Sequence, residues 1–291
     1  MIDNKPHIFG IGISGLVGSR IVALLQDKYN FDNLSLDTGV NITDPQTLDV
    51  IRKDTDHSVV LHLAAIADVD ACEKDRHLGK ESLAYKVNVQ GTENVVAACK
   101  AANKKIIYIS TDFVFDGTKP EGEVYSEEDA LHPINWYAQT KYQGEEIVKN
   151  SGLPYLIVRL AYPYRNIFVL KKDFVRAIAD RLKENQPVIA VTDHIMTPTF
   201  MDDIALGLDV LLHDNATGIF HMVGSQHITP YDAAFLIAEK FGLDKSLISQ
   251  TTRAEFFKDR APRPFNLALN NAKIKKLGAQ MRTFEEGLAL L

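Results

Sequence analysis

Short apolar runs alternate with amphipathic stretches through the first half of the chain. Residues 7–12 form an apolar run, and the stretch Ser19-Arg20-Ile21-Val22-Ala23-Leu24-Leu25 beyond it carries apolar side chains at helical spacing, which predicts strand, turn, helix. The same rhythm returns. Residues 34–37, 59–65, 106–110 and 155–160 read as strands, while the long pattern over 81–102 and the segment opening at Trp136 read as helices. Such alternation predicts a parallel sheet covered on both faces, with ligands bound at the carboxyl ends of its strands. Between 117 and 133 the chain is rich in turn residues and acids, including Gly117, Pro120, Gly122 and Glu127-Glu128-Asp129, which predicts a mobile flap over a site. Beyond about residue 165 the alternation weakens: helical patterns at 173–183, 202–213, 231–241 and 271–277 stand between short strands at 188–191 and 218–223. The expected fold class is α/β. Residues 1–165 plus about 195–224 would form a Rossmann-like, doubly wound parallel sheet, and about 166–194 plus 225–291 a smaller α/β substrate-binding domain.

Composition removes several alternatives. With 46% hydrophobic residues over 291 positions, the chain has enough apolar material for a well-buried core and is not disordered. No apolar run reaches the roughly 18 residues of a membrane span. The amino terminus, Met1-Ile2-Asp3-Asn4-Lys5, lacks a basic region leading into an apolar one, so a cytoplasmic protein is expected. The only cysteines, Cys72 and Cys99, stand far apart and fit free thiols of a reducing compartment. The nine histidines form no close ligand pair, and no metal site is expected. A net charge of −6 without long blocks leaves no basic footprint for nucleic acid or an anionic membrane.

Candidate chemistry begins at the first turn, Gly12-Ile13-Ser14-Gly15-Leu16-Val17-Gly18. Glycines there let the backbone turn tightly, approach a pyrophosphate and pack the helix on its strand, while the helix amino terminus faces the anion. A glycine triplet also suits a plain tight turn. A P-loop needs Lys-Ser/Thr where Leu16 follows Gly15, and Ser14 lacks the flanks of a nucleophile elbow, so a dinucleotide remains. Asp37 follows Gly18 by about 20 residues, the place of a carboxylate that takes the ribose hydroxyls of NAD and repels a 2′-phosphate. NAD is thereby favoured over NADP, unless Asp37 is only a turn residue before Gly39. Ala64 and Ala65 at the end of the third strand would let a cofactor lie close, and Thr111 stands at the end of the fourth.

A second feature is Tyr137-x-x-x-Lys141. Of the ten tyrosines, Tyr137 alone has a lysine four positions on, which on a helix is the same face. An ammonium about 4 Å from the phenol favours phenolate by roughly 4 kcal/mol at an effective dielectric near 20, with burial opposing it. Such a phenol could exchange a proton with a substrate oxygen at neutral pH.

Taken together, Gly12-x-x-Gly15-x-x-Gly18, Ser110-Thr111-Asp112-Phe113-Val114-Phe115-Asp116-Gly117, Tyr137-x-x-x-Lys141 and Arg263-Pro264 resemble the extended short-chain dehydrogenase/reductase superfamily, and within it the dTDP-4-dehydrorhamnose reductase group. His62-Leu63-Ala64-Ala65, Asn88-Val89-x-Gly91-Thr92 and Thr197-Pro198-Thr199 match as well. The resemblance implies a triad of Thr111, Tyr137 and Lys141 beside a nicotinamide. Tyr137 would give a proton to a ketone oxygen, Lys141 would lower the phenol's pKa and bind the nicotinamide ribose, and Thr111 would orient the carbonyl. It further implies cofactor contacts at Gly12, Ser14, Gly15, Leu16, Val17, Gly18, Asp37, Asn41, Ile42, Leu63, Ala64, Ala65, Asn88 and Ser110. Substrate contacts are implied at Ala67, Val69, Asp112, Phe113, Tyr162, Asp173 and Arg263. Three of these depart from the group's pattern: Ala67 stands where it has Thr, Tyr162 where it has Trp, and Asp173 where it has Asn. An extra carboxylate near a diphosphate would be repulsive.

The function implied is reduction of the 4-keto group of a nucleotide-linked 6-deoxy sugar by NADH or NADPH, with the nucleotide sugar as partner. Two alternatives stay open. One is a nucleotide-sugar epimerase or dehydratase with bound NAD, although Phe113 is no ionisable partner for Asp112. The other is a non-catalytic dinucleotide-binding subunit similar to the regulatory β subunit of methionine adenosyltransferase. A homodimer through the helices at 81–102 and 137–149 is implied by the same resemblance.

Overall fold

The computed structural model describes residues 5–167 and 172–291; the stretch 1–4, read above for a leader, lies outside them. Its strands are β1 (His7–Ile11), β2 (Asn30–Leu34), β3 (Val59–His62), β4 (Lys105–Thr111), β5 (Tyr155–Leu160), β6 (Pro163–Tyr164), β7 (Val188–Val191), β8 (Thr199–Phe200), β9 (Gly218–His221) and β10 (Ile248–Thr251). The helices that matter below are α1 (Leu16–Leu25), α2 (Asp49–Arg52), α3 (Val69–Lys74), α4 (Leu83–Tyr85), α5 (Thr92–Ala101), α6 (Trp136–Lys149), α7 (Phe174–Lys183), α8 (Met201–His213) and α9 (Pro230–Phe241).

Six strands form one parallel sheet in the order β2-β1-β3-β4-β5-β9. Its central strands are buried on both faces because helices cover both, and near-continuous apolar runs such as Ile106-Ile107-Tyr108-Ile109 pack into separate cores above and below. From β1 the chain moves outward to β2, then returns past β1 to β3. That reversal opens a crevice at the carboxyl ends of β1 and β3.

Several expected elements need correction. The second strand is Asn30–Leu34, not 34–37: Ser35 and Thr38 cap one another, Gly39 takes φ of 80°, and Leu36–Thr38 coil into a short 3₁₀ turn. Asp37 therefore stands exposed just beyond a strand end instead of finishing the strand. The long pattern at 81–102 is helical but uneven, with α4 and α5 joined by a π-helical turn at Lys86–Gly91. Two-residue β6 and β8 pair with each other, and β10 pairs with β7; among these only β7 announced itself by pattern.

The segment 117–133 is pinned, not a free flap. Asn266 Nδ2 donates to the carbonyls of Lys119, Pro120 and Glu123, Lys119 pairs with Asp129 at 2.7 Å, and the Tyr125 backbone bonds Ala268 and Asn270 on both sides. Phe115 stacks on Tyr125 with ring centroids 4.3 Å apart. Two of its acids are held within the protein: Glu127 accepts from the His221 amide, and Asp129 from Ser126 and Lys119.

In the second half, α8 lies against α1 and is fixed there by a two-pronged bond from Arg20 to Asp202, both at 2.6 Å. α7 and α9 share a core with Tyr164, Phe200 and Phe284, and β9 completes the large sheet. No helix among the described residues is long and apolar enough to cross a membrane.

Candidate active site

The glycine turn leads from β1 into α1. Gly12 has φ of 80°, and a Cβ added there would stand 2.7 Å from the Ala64 amide nitrogen, so β3's exit lies directly against the turn. At Gly18 a Cβ would meet Ile13 Cα at 2.4 Å, which shows how closely α1 packs on the turn that leads into it. No side chain caps the α1 amino terminus at Gly15. Ser14 and Gly15 are exposed and Leu16 and Val17 half-buried, so the helix amides face an open approach. The chain thus has a cradle that a larger residue would fill, with donors suited to a phosphate. Arg165 closes the far side by donating to Leu16 O and Ser19 Oγ, both at 3.0 Å.

The sequence-implied adenine and ribose positions are spread around this turn. Leu63, Ala64 and Ala65 are half-buried in the run beyond β3, where the amides of Leu63 and Ala64 both bond Ile11 O. Ile42 is buried beneath Gly91. The side-chain oxygen of Asn41 is committed to Thr43, accepting from its amide and hydroxyl, so Asn41 shapes its own turn. Asn88 is likewise fully committed. Its Oδ1 accepts from the Ile66 amide and its Nδ2 donates to Ile66 O and Thr140 Oγ1, which makes it a clamp between the post-β3 run and α6, not a free cofactor ligand.

α6 carries the Tyr137–Lys141 pair. Asn135 caps it by accepting from the Ala138 amide, Glu73 accepts from the Trp136 amide at 2.6 Å, and Trp136 Nε1 donates to Ser82. At its middle Glu145 forms a two-pronged bond with Arg159 of β5, at 3.0 and 2.8 Å, both side chains fully buried. That pair fixes the rotation of α6 over the sheet. Tyr137 consequently faces Thr111 at the end of β4, with the Phe113 ring edge-on at 6.2 Å.

Lys141 does not act as the helical spacing suggested. Its Nζ donates to Ile109 O at 2.7 Å and lies 4.0 Å above the Tyr108 ring. Burial, opposed by the Glu145 carboxylate, lowers its pKa to about 7. Burial also dominates at Tyr137, whose phenol is pushed above its ordinary value, with Thr111 opposing and the fields of Asp112 and Cys72 adding. The expected drop toward neutrality is absent because desolvation outweighs any help from an ammonium turned to a backbone carbonyl.

On the substrate side, Ala67 is exposed, Val69 half-buried at the start of α3, and Phe113 buried beside Tyr137. Asp112 is buried, accepts from Thr111 Oγ1 at 3.0 Å, and is pushed up to about 7 by desolvation, with its hydrogen bonds opposing. Tyr162, at φ of 40°, bonds His194 Nε2 through its hydroxyl at 2.7 Å, and His194 Nδ1 meets Pro264 O at 2.7 Å. Arg263 donates to Asp70 Oδ1 and Ala261 O, and Arg260 also grips Asp70. Asp173 is withdrawn from ligand: it caps α7 through the Arg176 amide, accepts from the Arg165 amide and pairs with Arg176 at 2.7 Å. The repulsion feared from its carboxylate is therefore neutralised within the protein.

Sequence reasoning missed His194, Arg165 and Arg260. Arg260 had a signal in its spacing of three from Arg263 between prolines, whereas His194 and Arg165 reach their partners only through tertiary packing. Also missed was the approach of His7 and His57 to Asp32 at the opposite, amino-terminal edge of the sheet. There Asp32 Oδ2 lies 2.6 Å from His57 and 3.3 Å from His7, while His57 and Lys104 both grip Asp54. These are hydrogen-bond distances, so the cluster is a chain of hydrogen bonds.

The comparisons with known proteins agree with this arrangement. The probable low-salt glycan biosynthesis reductase Agl14 of Haloferax volcanii is 30% identical, over 98% of this chain and 97% of its own. The methionine adenosyltransferase 2 subunit beta of Mus musculus is 30% identical over 86% of this chain and 74% of its own. The crystal structure of dTDP-4-dehydrorhamnose reductase from Bacillus anthracis in complex with NADP superimposes with a TM-score of 0.87 at 28% identity, covering 98% of this chain and 97% of that one. Residues 6–291 match the RmlD substrate binding domain, and the chain belongs to that family.

Proposed function

We propose that this protein reduces the 4-keto group of a nucleotide-linked 6-deoxy sugar with NADH or NADPH. The observation that carries the reading is the meeting of Tyr137 with Thr111 at the carboxyl end of β4, across the crevice from the glycine turn. The reductase similarity of the Haloferax volcanii and Bacillus anthracis proteins supports it.

Gly12, Gly15, Gly18 and the α1 amides would hold the pyrophosphate, with Ser14, Leu16 and Val17 around it. Asp37, Asn41 and Ile42 would flank the adenosine half, and Leu63, Ala64, Ala65 and Ser110 would line the nicotinamide half. The reduced nicotinamide supplies the hydride. Tyr137 gives its proton to the oxygen that becomes the alcohol, and a phenol held protonated by burial is the form this direction requires. Lys141 stands one turn on to hold the ribose, and Thr111 orients the carbonyl. Val69, Phe113, Tyr162 and Arg263 would border the sugar nucleotide, with residues 166–194 and 225–291 as the substrate-binding part. We further propose a cytoplasmic homodimer, for which Leu78 and Leu83, 45% and 56% exposed at the head of the long helix, offer apolar surface.

Tyr137→Phe should lower turnover of a 4-keto nucleotide sugar by roughly 10²- to 10⁴-fold while nicotinamide nucleotide still binds. Turnover near the wild-type value would overturn the assignment. Stoichiometric loss of NAD(P)H absorbance separates a reductase from an epimerase, which shows no net change. The mouse β-subunit similarity favours one second reading, a regulatory subunit, and NAD(P)H binding without oxidation across keto-sugar nucleotides would select it.

A further inference from the structure

Thr111 has one hydroxyl proton, and the structure spends it inside the protein. Oγ1 donates to Asp112 Oδ1 at 3.0 Å and accepts from the Phe113 amide at 3.3 Å. The Thr111 proton is thus committed to Asp112. In that state Thr111 offers a substrate oxygen no proton.

Asp112 is 2% exposed, and its second oxygen, Oδ2, is buried without a hydrogen-bond partner. The titratable groups on the surrounding elements are bonded elsewhere. The Tyr162 hydroxyl, after β5, goes to His194; the Arg263 guanidinium, in the carboxyl-terminal segment, goes to Asp70 and Ala261; Lys141 of α6 goes to Ile109. An ionised carboxylate with one bare oxygen is costly in such surroundings, whereas a neutral carboxyl leaves only a carbonyl-type oxygen unsatisfied.

We propose that Asp112 is the positioning residue that decides which way the Thr111 hydroxyl points. When Asp112 is ionised, Thr111 donates to it and shows only lone pairs to its surroundings. When Asp112 is neutral, its own O–H donates to Thr111 Oγ1, and the Thr111 proton is released toward the substrate carbonyl beside Tyr137. The proton on Asp112 is not consumed: Tyr137 supplies the one transferred to the product oxygen, and the neutral carboxyl only turns the hydroxyl. This rests on the reductase reading above and adds to it a carboxyl that works best protonated. Desolvation pushes the Asp112 pKa up to about 7, so the switch would operate near neutrality.

Two measurements test it. In the first, kcat/KM for reduction of a 4-keto nucleotide sugar is followed from pH 5 to 9 for the wild type, Asp112→Asn and Asp112→Ala. The wild-type rate should fall about tenfold per pH unit above neutrality. Asp112→Asn, a neutral isostere whose amide donates permanently to Thr111, should lose that limb, and Asp112→Ala should lose 10-fold or more in kcat at every pH. A limb that persists in Asp112→Asn overturns the proposal. The second measurement needs no substrate: the urea midpoint of Asp112→Asn should gain on that of the wild type as pH rises from 4 to 7, because only the wild-type fold must hold the extra proton. A gap that stays constant with pH overturns the proposal even in an active reductase. No turnover by the wild type defeats the reductase reading instead, and the midpoint gap then decides the state of Asp112 alone.

Discussion

Gly15 and Gly18 belong to one turn and have different tasks in it. A Cβ at Gly18 would press on the backbone of Ile13 at 2.4 Å, which no rotamer change relieves, whereas at Gly15 the nearest atom is Gly12 O at 3.2 Å. Gly18→Ala should therefore damage the fold itself, by about 1–3 kcal/mol as overpacking does, seen as a lower urea midpoint. Gly15→Ala should keep the wild-type midpoint and weaken NAD(P)H at least tenfold in a fluorescence titration, because the added methyl stands in the phosphate's approach. Equal destabilisation by both would contradict the division. The glycine spacing was legible in the sequence, since a strand-to-helix turn dictates it. Which glycine serves packing and which serves approach was not, because that depends on the distance between backbones distant in the sequence or folded over one another.

At the scale of elements, α6 places Tyr137, and α6 is placed by bonds that no periodicity announces. Asn88 sits where the helix widens into a π turn and reaches Ile66 on one side and Thr140 on the other with three hydrogen bonds. Asn88→Ala leaves the Ile66 amide without its partner and the Ile66 carbonyl with only the weak Cys72 thiol, so a loss of about 1–3 kcal/mol in urea unfolding is expected. Turnover should fall more than nicotinamide affinity, since the phenol moves and the glycine turn does not. An unchanged midpoint would show that water or a backbone shift replaces the clamp. The helices and long strands could be read from the chain because their apolar faces repeat at 3.6 or fill a run. The two-residue strands β6 and β8, the π turn and the pinned 117–133 segment could not, for they are fixed by single side chains such as Asn266 and Asn88. The Tyr137–Lys141 spacing correctly put both residues on one buried face. Their charges depend on burial and on Ile109's carbonyl, which spacing does not encode.

Across the whole molecule, three buried histidines set the response to acid. His62 on β3, His194 before β8 and His221 on β9 are each almost fully buried. Desolvation lowers their pKa values, to about 3 for His62 with Lys141 adding, to about 4 for His194 against the Pro264 bond, and to about 3 for His221 with Arg159 adding. Their partners fix the neutral tautomers. His194 gives Nδ1–H to Pro264 O and accepts at Nε2 from Tyr162; His221 gives Nδ1–H to Asn270 O and accepts from Arg159. Thr92 spends its proton on Asn88 O, so His62 gives Nε2–H to Thr92 and its Nδ1 is left bare. A second proton would face an arginine at His221, a phenol already aimed inward at His194, and no acceptor at His62. The unfolded chain protonates each near 6.5, so below that pH it binds more protons than the fold, and stability falls as pH drops toward 4. Each group contributes about 1.4 kcal/mol per pH unit and the three together up to about 4, opposed over the same interval by Asp112, whose neutral form favours the fold. The urea midpoint should accordingly decline steeply between pH 6 and 4. His221→Gln should flatten the decline by about half, because Asp112 already offsets one of the three histidine contributions and the variant removes another, while its amide can still donate to Asn270 O and accept from Arg159 without ever taking up a proton. A variant whose acid profile coincides with the wild type would show that His221 is charged in the fold, and the neutral Arg159–His221 contact would have to be abandoned.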